Sequence, residues 1–346
     1  MGKKLILLLL MAGIGSAGSA QAAPHKPVHK KAVHKAPHKA VQPAHPKLRA
    51  HRHHRAEAAQ PLVAQRAAPV QHAAVASNQA DDDLTKLVLK HTDSPRLQSN
   101  IALIYDEKNG QTLYTKNAEA VVPIASITKL MTAMVVLDAK LPLDESITIT
   151  EQDIDTLKGT HSRMRPGMTL TRAEMLRLAL MSSENRAATA LARTYPGGTV
   201  AAVAKMNEKA QALGMTHTRF LDSSGLNSSN VSTAQDLVKM VNAANHYRAI
   251  HEYTTTPSHL VQAPGHRPLQ YNNTNPLVKS ASWDIGVSKT GFINEAGRCL
   301  VMQATITQRP VIIVLLDSQG KQTRVGDANR VKRWMESALA RNTRNG

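Results

Sequence analysis

Cysteine is nearly missing from this chain of 346 residues: Cys299 stands alone, so no intrachain disulfide can form. It sits in the apolar run Cys299-Leu300-Val301-Met302, where a small core side chain is expected rather than a nucleophile. Aromatic residues are scarce too, at 3% of the chain, and none precedes Tyr105. That absence, with a composition of His, Lys, Pro and Ala, leaves residues 23–78 too little apolar surface to offset their chain entropy, so disorder is expected there. Long apolar runs are also lacking. The stretch from Leu5 to Ile14 is too short for a good membrane span. Preceded by Lys3 and Lys4 and followed by Ala20-Gln21-Ala22, it has the layout of an export signal over residues 1–22, cleaved near Ala22. Acids are few: 25 Asp and Glu face 43 Lys and Arg, for a formal charge of +18. Half of that excess lies in the tail, where ten Lys and Arg face Glu57 alone. Whole-chain basicity therefore gives no ground for a nucleic-acid partner. The tail, with nine of the sixteen histidines, is expected to serve as a flexible spacer or to hold anionic envelope polymers.

Residues 79–346 carry the patterns of a folded domain. Ile101–Asp106 and Gln111–Thr115 alternate as strands around the turn dipeptide Asn109-Gly110. After Pro123, apolar residues at Ile127, Leu130, Met131, Met134 and Val135 predict a buried helix from near Ser126 to about Ala139. Thr171 and Glu174 form a capping box that opens a helix to Met181. Further helices are expected over 187–192, 200–213 and from Thr233. Strands are expected to return only late, over 283–288, 298–307 and 311–317. An amphipathic helix over 328–340 then places Val331, Trp334, Met335, Ala338 and Leu339 on one face. Strands at both ends with helices between imply one sheet assembled from distant segments, a second lobe, and a cleft between the lobes.

Three short motifs carry chemistry. Ser126-Ile127-Thr128-Lys129 sets a serine at a helix start, among backbone N–H groups without intrahelical partners, with Lys129 one turn along the same face. A lysine desolvated there loses its proton more readily and can act as base for the serine. Ser183-Glu184-Asn185 falls between two expected helices, where a short loop can aim side chains into a cleft. Ser183 can relay a proton, and Asn185 can hydrogen-bond a substrate amide. Lys289-Thr290-Gly291 ends the expected strand at Ser288. Its lysine and hydroxyl can hold a carboxylate, and its glycine lets substrate approach the backbone. Alone, each motif reads more readily as a helix cap or a strand-end turn. In this order, 57 and 106 residues apart, they match the trio of penicillin-binding proteins and β-lactamases.

The stretches Val122–Lys129, Leu180–Ala188, and Asn273-Thr274-Asn275 ahead of Lys289–Phe292 resemble the low-molecular-mass penicillin-binding proteins that act as D-alanyl-D-alanine peptidases, and within them the endopeptidase branch. The resemblance spans roughly residues 95–340 and does not extend to the tail. It implies a β-lactamase/DD-peptidase-like α/β (α+β) fold, a mainly antiparallel sheet flanked by helices with an inserted all-helical lobe at about 140–270. It also implies a periplasmic enzyme that cuts D-alanyl cross-links in peptidoglycan through an acyl-enzyme and is inhibited by β-lactams. Ser126 would be the nucleophile, Lys129 its base, and Ser183 the proton donor to the leaving amine. Asn185 would orient substrate and Lys129, while Lys289 and Thr290 would hold a carboxylate. The oxyanion would sit between the N–H groups of Ser126 and Phe292. No metal or cofactor is implied, and the seven histidines outside the tail show no paired metal-ligand spacing. Carboxypeptidase action is the alternative within the class, and a catalytically idle wall-sensing or tethering module the alternative outside it. Carboxypeptidase relatives commonly carry Gly and Asp where this chain has Glu184 and Arg186. The chain ends soon after one basic helix, without the further domain and membrane helix of many relatives, so no transmembrane anchor is expected. It also lacks the Glu-x-x-Leu-Asn pattern of class A β-lactamases, which argues against rapid β-lactam turnover.

Overall fold

The computed structural model describes residues 94–345; the expected signal (1–22), the tail (23–78) and the first residues of the folded domain lie outside the described residues. β1 (Ile101–Asp106) and β2 (Gln111–Lys116) form the expected hairpin, with Gly110 in the left-handed region at φ 66° and Asn109 outside it. β9 (Asp284–Ile293), β10 (Gly297–Ile306) and β11 (Arg309–Ser318) complete a five-stranded sheet in the order β2-β1-β11-β10-β9. Every pairing is antiparallel. The first and last strands of the described residues thus meet in one sheet, with β1 beside β11.

Both faces of that sheet are covered, which explains the unbroken apolar runs Leu300-Val301-Met302 and Val311–Leu316. On one face lies α7 (Thr323–Asn345), whose Val331, Trp334, Met335 and Ala338 pack with Leu300, Met302, Ile313 and Leu315. On the other lie α1 (Thr128–Asp138) and α5 (Ala234–Asn245), with Val301, Ile312, Val314 and Leu316 in the same core. Every residue of α1 from Thr128 to Val136 is buried. A helix buried on all sides belongs in a core, and this one, with Lys129 and Thr132 among its polar residues, is the spine between sheet and helical block. Cys299 is a buried core residue, as expected.

The helical block contains α2 (Arg172–Met181), α3 (Asn185–Arg193), α4 (Gly198–Ala212) and α6 (Arg248–Thr255). Thr171 caps α2 by accepting from the Glu174 N–H. The block is not all helix. The short antiparallel pairs β4 (Ser146–Thr148) with β5 (Thr169–Thr171), and β7 (Ser258–Val261) with β8 (Leu269–Asn272), interrupt it. These strands are too short and too exposed for a period-2 pattern to stand out, so strand character is not confined to the C-terminal third. A two-residue pair, β3 (Val122–Pro123) with β6 (Val231–Ser232), fixes the approach to α1. Among the described residues, no helix is long and apolar enough to cross a membrane.

Candidate active site

After β3 the chain takes a 3-10 turn, Ala125–Ile127, before α1 begins at Thr128. Ser126 therefore sits in the turn that leads into the helix, which begins two residues later than the expected start near Ser126. Ala125 adopts φ 48°, which costs a residue with a Cβ about 1–2 kcal/mol. Two glycines crowd this turn. A Cβ on Gly225, at φ 82°, would stand 1.9 Å from the Ala125 carbonyl oxygen and 2.9 Å from the Ser126 nitrogen. A Cβ on Gly291 would stand 3.2 Å from the same nitrogen and 2.9 Å from the Ile124 oxygen. The Ser126 amide is thus flanked by two backbones that come close only because they lack side chains.

Lys129 is not a surface lysine: it is 1% exposed. Its Nζ lies 2.7 Å from Ser126 Oγ, 2.8 Å from Asn185 Oδ1 and 2.6 Å from the Ser224 carbonyl oxygen. The last two can only accept, so a neutral amine satisfies both with N–H groups and turns its lone pair toward the Ser126 hydroxyl. Burial pushes the Lys129 pKa down to about 7, against the upward pull of Asp222 and Glu184. An amine with that pKa is poised as a general base near neutral pH.

Ser224 and its loop are what sequence reasoning missed. Asp222 clamps the loop by accepting from the N–H groups of Ser224 at 2.9 Å, Gly225 at 2.5 Å and Asn227 at 2.7 Å. Thr132 Oγ1 donates to the Ser223 carbonyl at 2.7 Å, tying the loop to α1. The signal available was the turn composition of Asp222-Ser223-Ser224-Gly225, which marks a loop without saying what the loop touches.

Ser183 lies between α2 and α3 at φ 63°, and its Oγ accepts from Lys289 Nζ at 2.9 Å. Asn185 is the first residue of α3, so that helix starts two residues earlier than its apolar pattern indicates. Lys289 is 1% exposed; burial, then the charges of Lys129 and Arg324, hold its pKa well below the usual lysine range. The expectation that Lys289-Thr290-Gly291 ends a strand is corrected. β9 continues to Ile293, because β10 pairs with it as far as Gly297. As an edge strand, β9 leaves one row of backbone N–H and C=O groups unpaired within the sheet. Thr290 Oγ1 donates to Thr274 Oγ1 at 2.6 Å, and the Thr274 N–H bonds the Met181 carbonyl at 2.9 Å, which ties this edge to the end of α2. Phe292 follows, exposed.

The segment 155–165 adds a rim that no periodicity announced. Asn185 Nδ2 donates to Thr160 Oγ1 at 3.1 Å, and Ser162 Oγ donates to Glu184 Oε2 at 2.7 Å. Burial raises the Glu184 pKa. Arg186 donates to the Met164 carbonyl at 2.7 Å, so both residues that depart from the carboxypeptidase pattern face this rim. Lys158 reaches the turn between β9 and β10, where it pairs with Glu295.

A serine hydroxyl served by a buried amine, with a second serine–lysine pair joined to it through the Ser183–Asn185 turn, is the arrangement of an active-site serine acyl-transfer enzyme. Residues 89–320 match the S11 peptidase family, D-alanyl-D-alanine carboxypeptidase, and the chain belongs to that family. It is 50% identical to a D-alanyl-D-alanine endopeptidase of Pseudomonas aeruginosa over 70% of this chain and 78% of that protein. It is 46% identical to one of Escherichia coli, over 70% and 79%. The Streptomyces K15 DD-transpeptidase structure superposes with a TM-score of 0.66 at 30% identity, covering 71% of this chain and 99% of that one. The chain is a serine peptidase with the DD-peptidase fold.

Proposed function

We propose that the enzyme acts in the bacterial periplasm as an endopeptidase on the D-alanyl bonds of peptidoglycan cross-links, through an acyl-enzyme on Ser126. The observation that carries the mechanism is the buried Lys129 amine, 2.7 Å from the Ser126 hydroxyl and with a pKa of about 7. Lys129 takes the Ser126 proton as Oγ adds to the D-alanyl carbonyl carbon. The oxygen that becomes anionic is received by the N–H groups of Ser126 and Phe292, at about 3 kcal/mol per donor in such sites. Ser183, replenished by the lysine pair, passes a proton to the amine, and the C–N bond breaks to leave an ester on Ser126. Water deprotonated by Lys129 then releases the ester and restores the hydroxyl. Lys289 and Thr290 hold the carboxylate beside the leaving amine, and Asn185 keeps Lys129 on its target. A β-lactam is opened by the same attack, but its amine stays tethered and the ester persists, so inhibition follows.

Support for endopeptidase action comes from the relatives at 50% and 46% identity, both named endopeptidases. The family is that of the D-alanyl-D-alanine carboxypeptidases, which favours carboxypeptidase action. Both substrates place a carboxylate beside the departing amine, so one Lys289–Thr290 pocket can serve either. Digestion of purified cross-linked muropeptide dimers decides between them. Conversion of dimers to monomers is expected; dimers that persist while pentapeptide loses D-alanine would refute endopeptidase action.

Residues 1–22 are read here as the export signal, and residues 23–78 as a cationic arm for anionic envelope polymers. Its histidines gain charge below about pH 6.5, so attachment should strengthen as pH falls. Deleting 23–78 should leave hydrolysis of soluble muropeptides intact and weaken sedimentation with intact sacculi, and added salt should mimic the deletion. Equal pelleting of full-length and truncated protein at low salt would leave only a spacer.

A further inference from the structure

Just past Gly291, the edge strand presents a half-exposed ring. Phe292 is 49% exposed, and its cross-strand neighbour Arg298 on β10 sets a guanidinium 4.5 Å from the ring centroid. Side chains two apart on a strand share a face and stand roughly 6–7 Å apart. Phe292 therefore continues the face of Thr290, the hydroxyl assigned to the carboxylate beside the departing amine. Arg298 makes no ion pair among the described residues. Arg324 donates to the Gly291 carbonyl at 3.1 Å. Burial and then Arg298 push the Arg324 pKa down, and Arg324 in turn helps to depress Lys289. Lys289, Arg324 and Arg298 thus form a group of like charges along β9, whose mutual repulsion anions relieve.

One anion is the leaving group's first carboxylate, and with two guanidiniums beside Lys289 the edge can accommodate a second. A free D-alanine leaving group has one carboxylate and a methyl group, with nothing to lay on the ring. A peptidyl leaving group has an apolar arm beyond its amine-bearing carbon and a further carboxylate at its own C-terminus. Resting on the endopeptidase reading, we propose that Phe292 and Arg298 form the subsite for the peptidyl leaving group of a cross-link, the ring receiving its apolar arm and the guanidinium its second carboxylate.

The test compares kcat/KM on a soluble cross-linked muropeptide dimer and on monomeric pentapeptide, for the full-length enzyme and Arg298→Ala. The dimer-to-pentapeptide ratio should drop about tenfold in the variant, chiefly through KM, as one charge-assisted contact is lost. Arg298→Lys should recover part of it, since the charge remains but the planar fork does not. In the unmodified enzyme, a dimer whose acceptor C-terminal carboxylate is amidated should lose the same factor, a comparison that needs no variant to fold. A ratio that stays constant across Arg298→Ala and the amidated dimer overturns the subsite while leaving endopeptidase action standing. An unmodified enzyme that trims pentapeptide and leaves every dimer intact overturns both.

Discussion

Gly225→Ala puts a methyl group where the chain ahead of Ser126 already runs. The new Cβ would lie 1.9 Å from the Ala125 oxygen, against the 3.0 Å that real Cβ contacts essentially never undercut, so something must move by about 1.1 Å. Neither side gives easily. The Gly225 loop is held by Asp222 through three backbone N–H groups and by Thr132 through the Ser223 carbonyl. The Ala125 side is pinned by the 3-10 turn and by β9 passing at Gly291. Overpacking together with a left-handed alanine should cost about 2–5 kcal/mol of stability. A shift of about 1 Å at the nucleophile should slow acylation on the order of 100-fold in molecules that remain folded. The assay is the rate of labelling by a fluorescent penicillin, measured beside urea unfolding of the same preparation. Gly214→Ala is the control, since Gly214 has φ 71° but nothing within 4 Å of its Cβ position, so only the backbone term of about 1–2 kcal/mol applies. Acylation of Gly225→Ala within about threefold of the unmodified rate, at unaltered stability, would refute the argument that this close approach sets the nucleophile.

Two further outcomes follow from the electrostatics. With Lys129 at about 7, acylation should rise with pH through an acid limb near that value, and Glu184→Gln, by removing a carboxylate that pulls the Lys129 pKa up, should move the limb to lower pH; a limb that does not move would clear Glu184 of this role. Arg309 and Asp106 form a buried pair at 2.5 Å at the turn end of β11, so Arg309→Met should cost about 3–5 kcal/mol in urea unfolding while penicillin labelling of the folded fraction persists; a loss below 1 kcal/mol would show that the buried carboxylate does not need its partner.

Much of this was legible because the deciding signals are local. The N-cap at Thr171, the stop after Met181 and the apolar repeat of α1 read straight from residue type and spacing, although the Glu174 carboxylate goes to His259 and not back to the cap. Ser126, Lys129, Ser183, Asn185 and Lys289 are joined by hydrogen bonds, which link the three motifs as Ser126–Lys129–Asn185 and Lys289–Ser183, while the Thr290 hydroxyl bonds Thr274. What stayed hidden depends on contacts between distant segments. The Ser224 carbonyl is a backbone atom, so no side chain marks it as a partner of Lys129, 95 residues away. Thr160 looks like any loop threonine until Asn185 donates to it. β9 runs on past Gly291 because β10 pairs with it there, and a glycine inside a strand usually signals an end or a bulge. α7 starts at Thr323, before the apolar repeat that announced it at Ala328, since Val325 is the one large apolar side chain among the five residues ahead of that repeat.

The measurement closest to the central claim is the intact mass of the enzyme after incubation with a β-lactam, followed by peptide mapping of the adduct. The account predicts one added β-lactam mass per chain, carried on the peptide containing Ser126 and absent from Ser126→Ala. An adduct on any other peptide, or one that survives in Ser126→Ala, would contradict it.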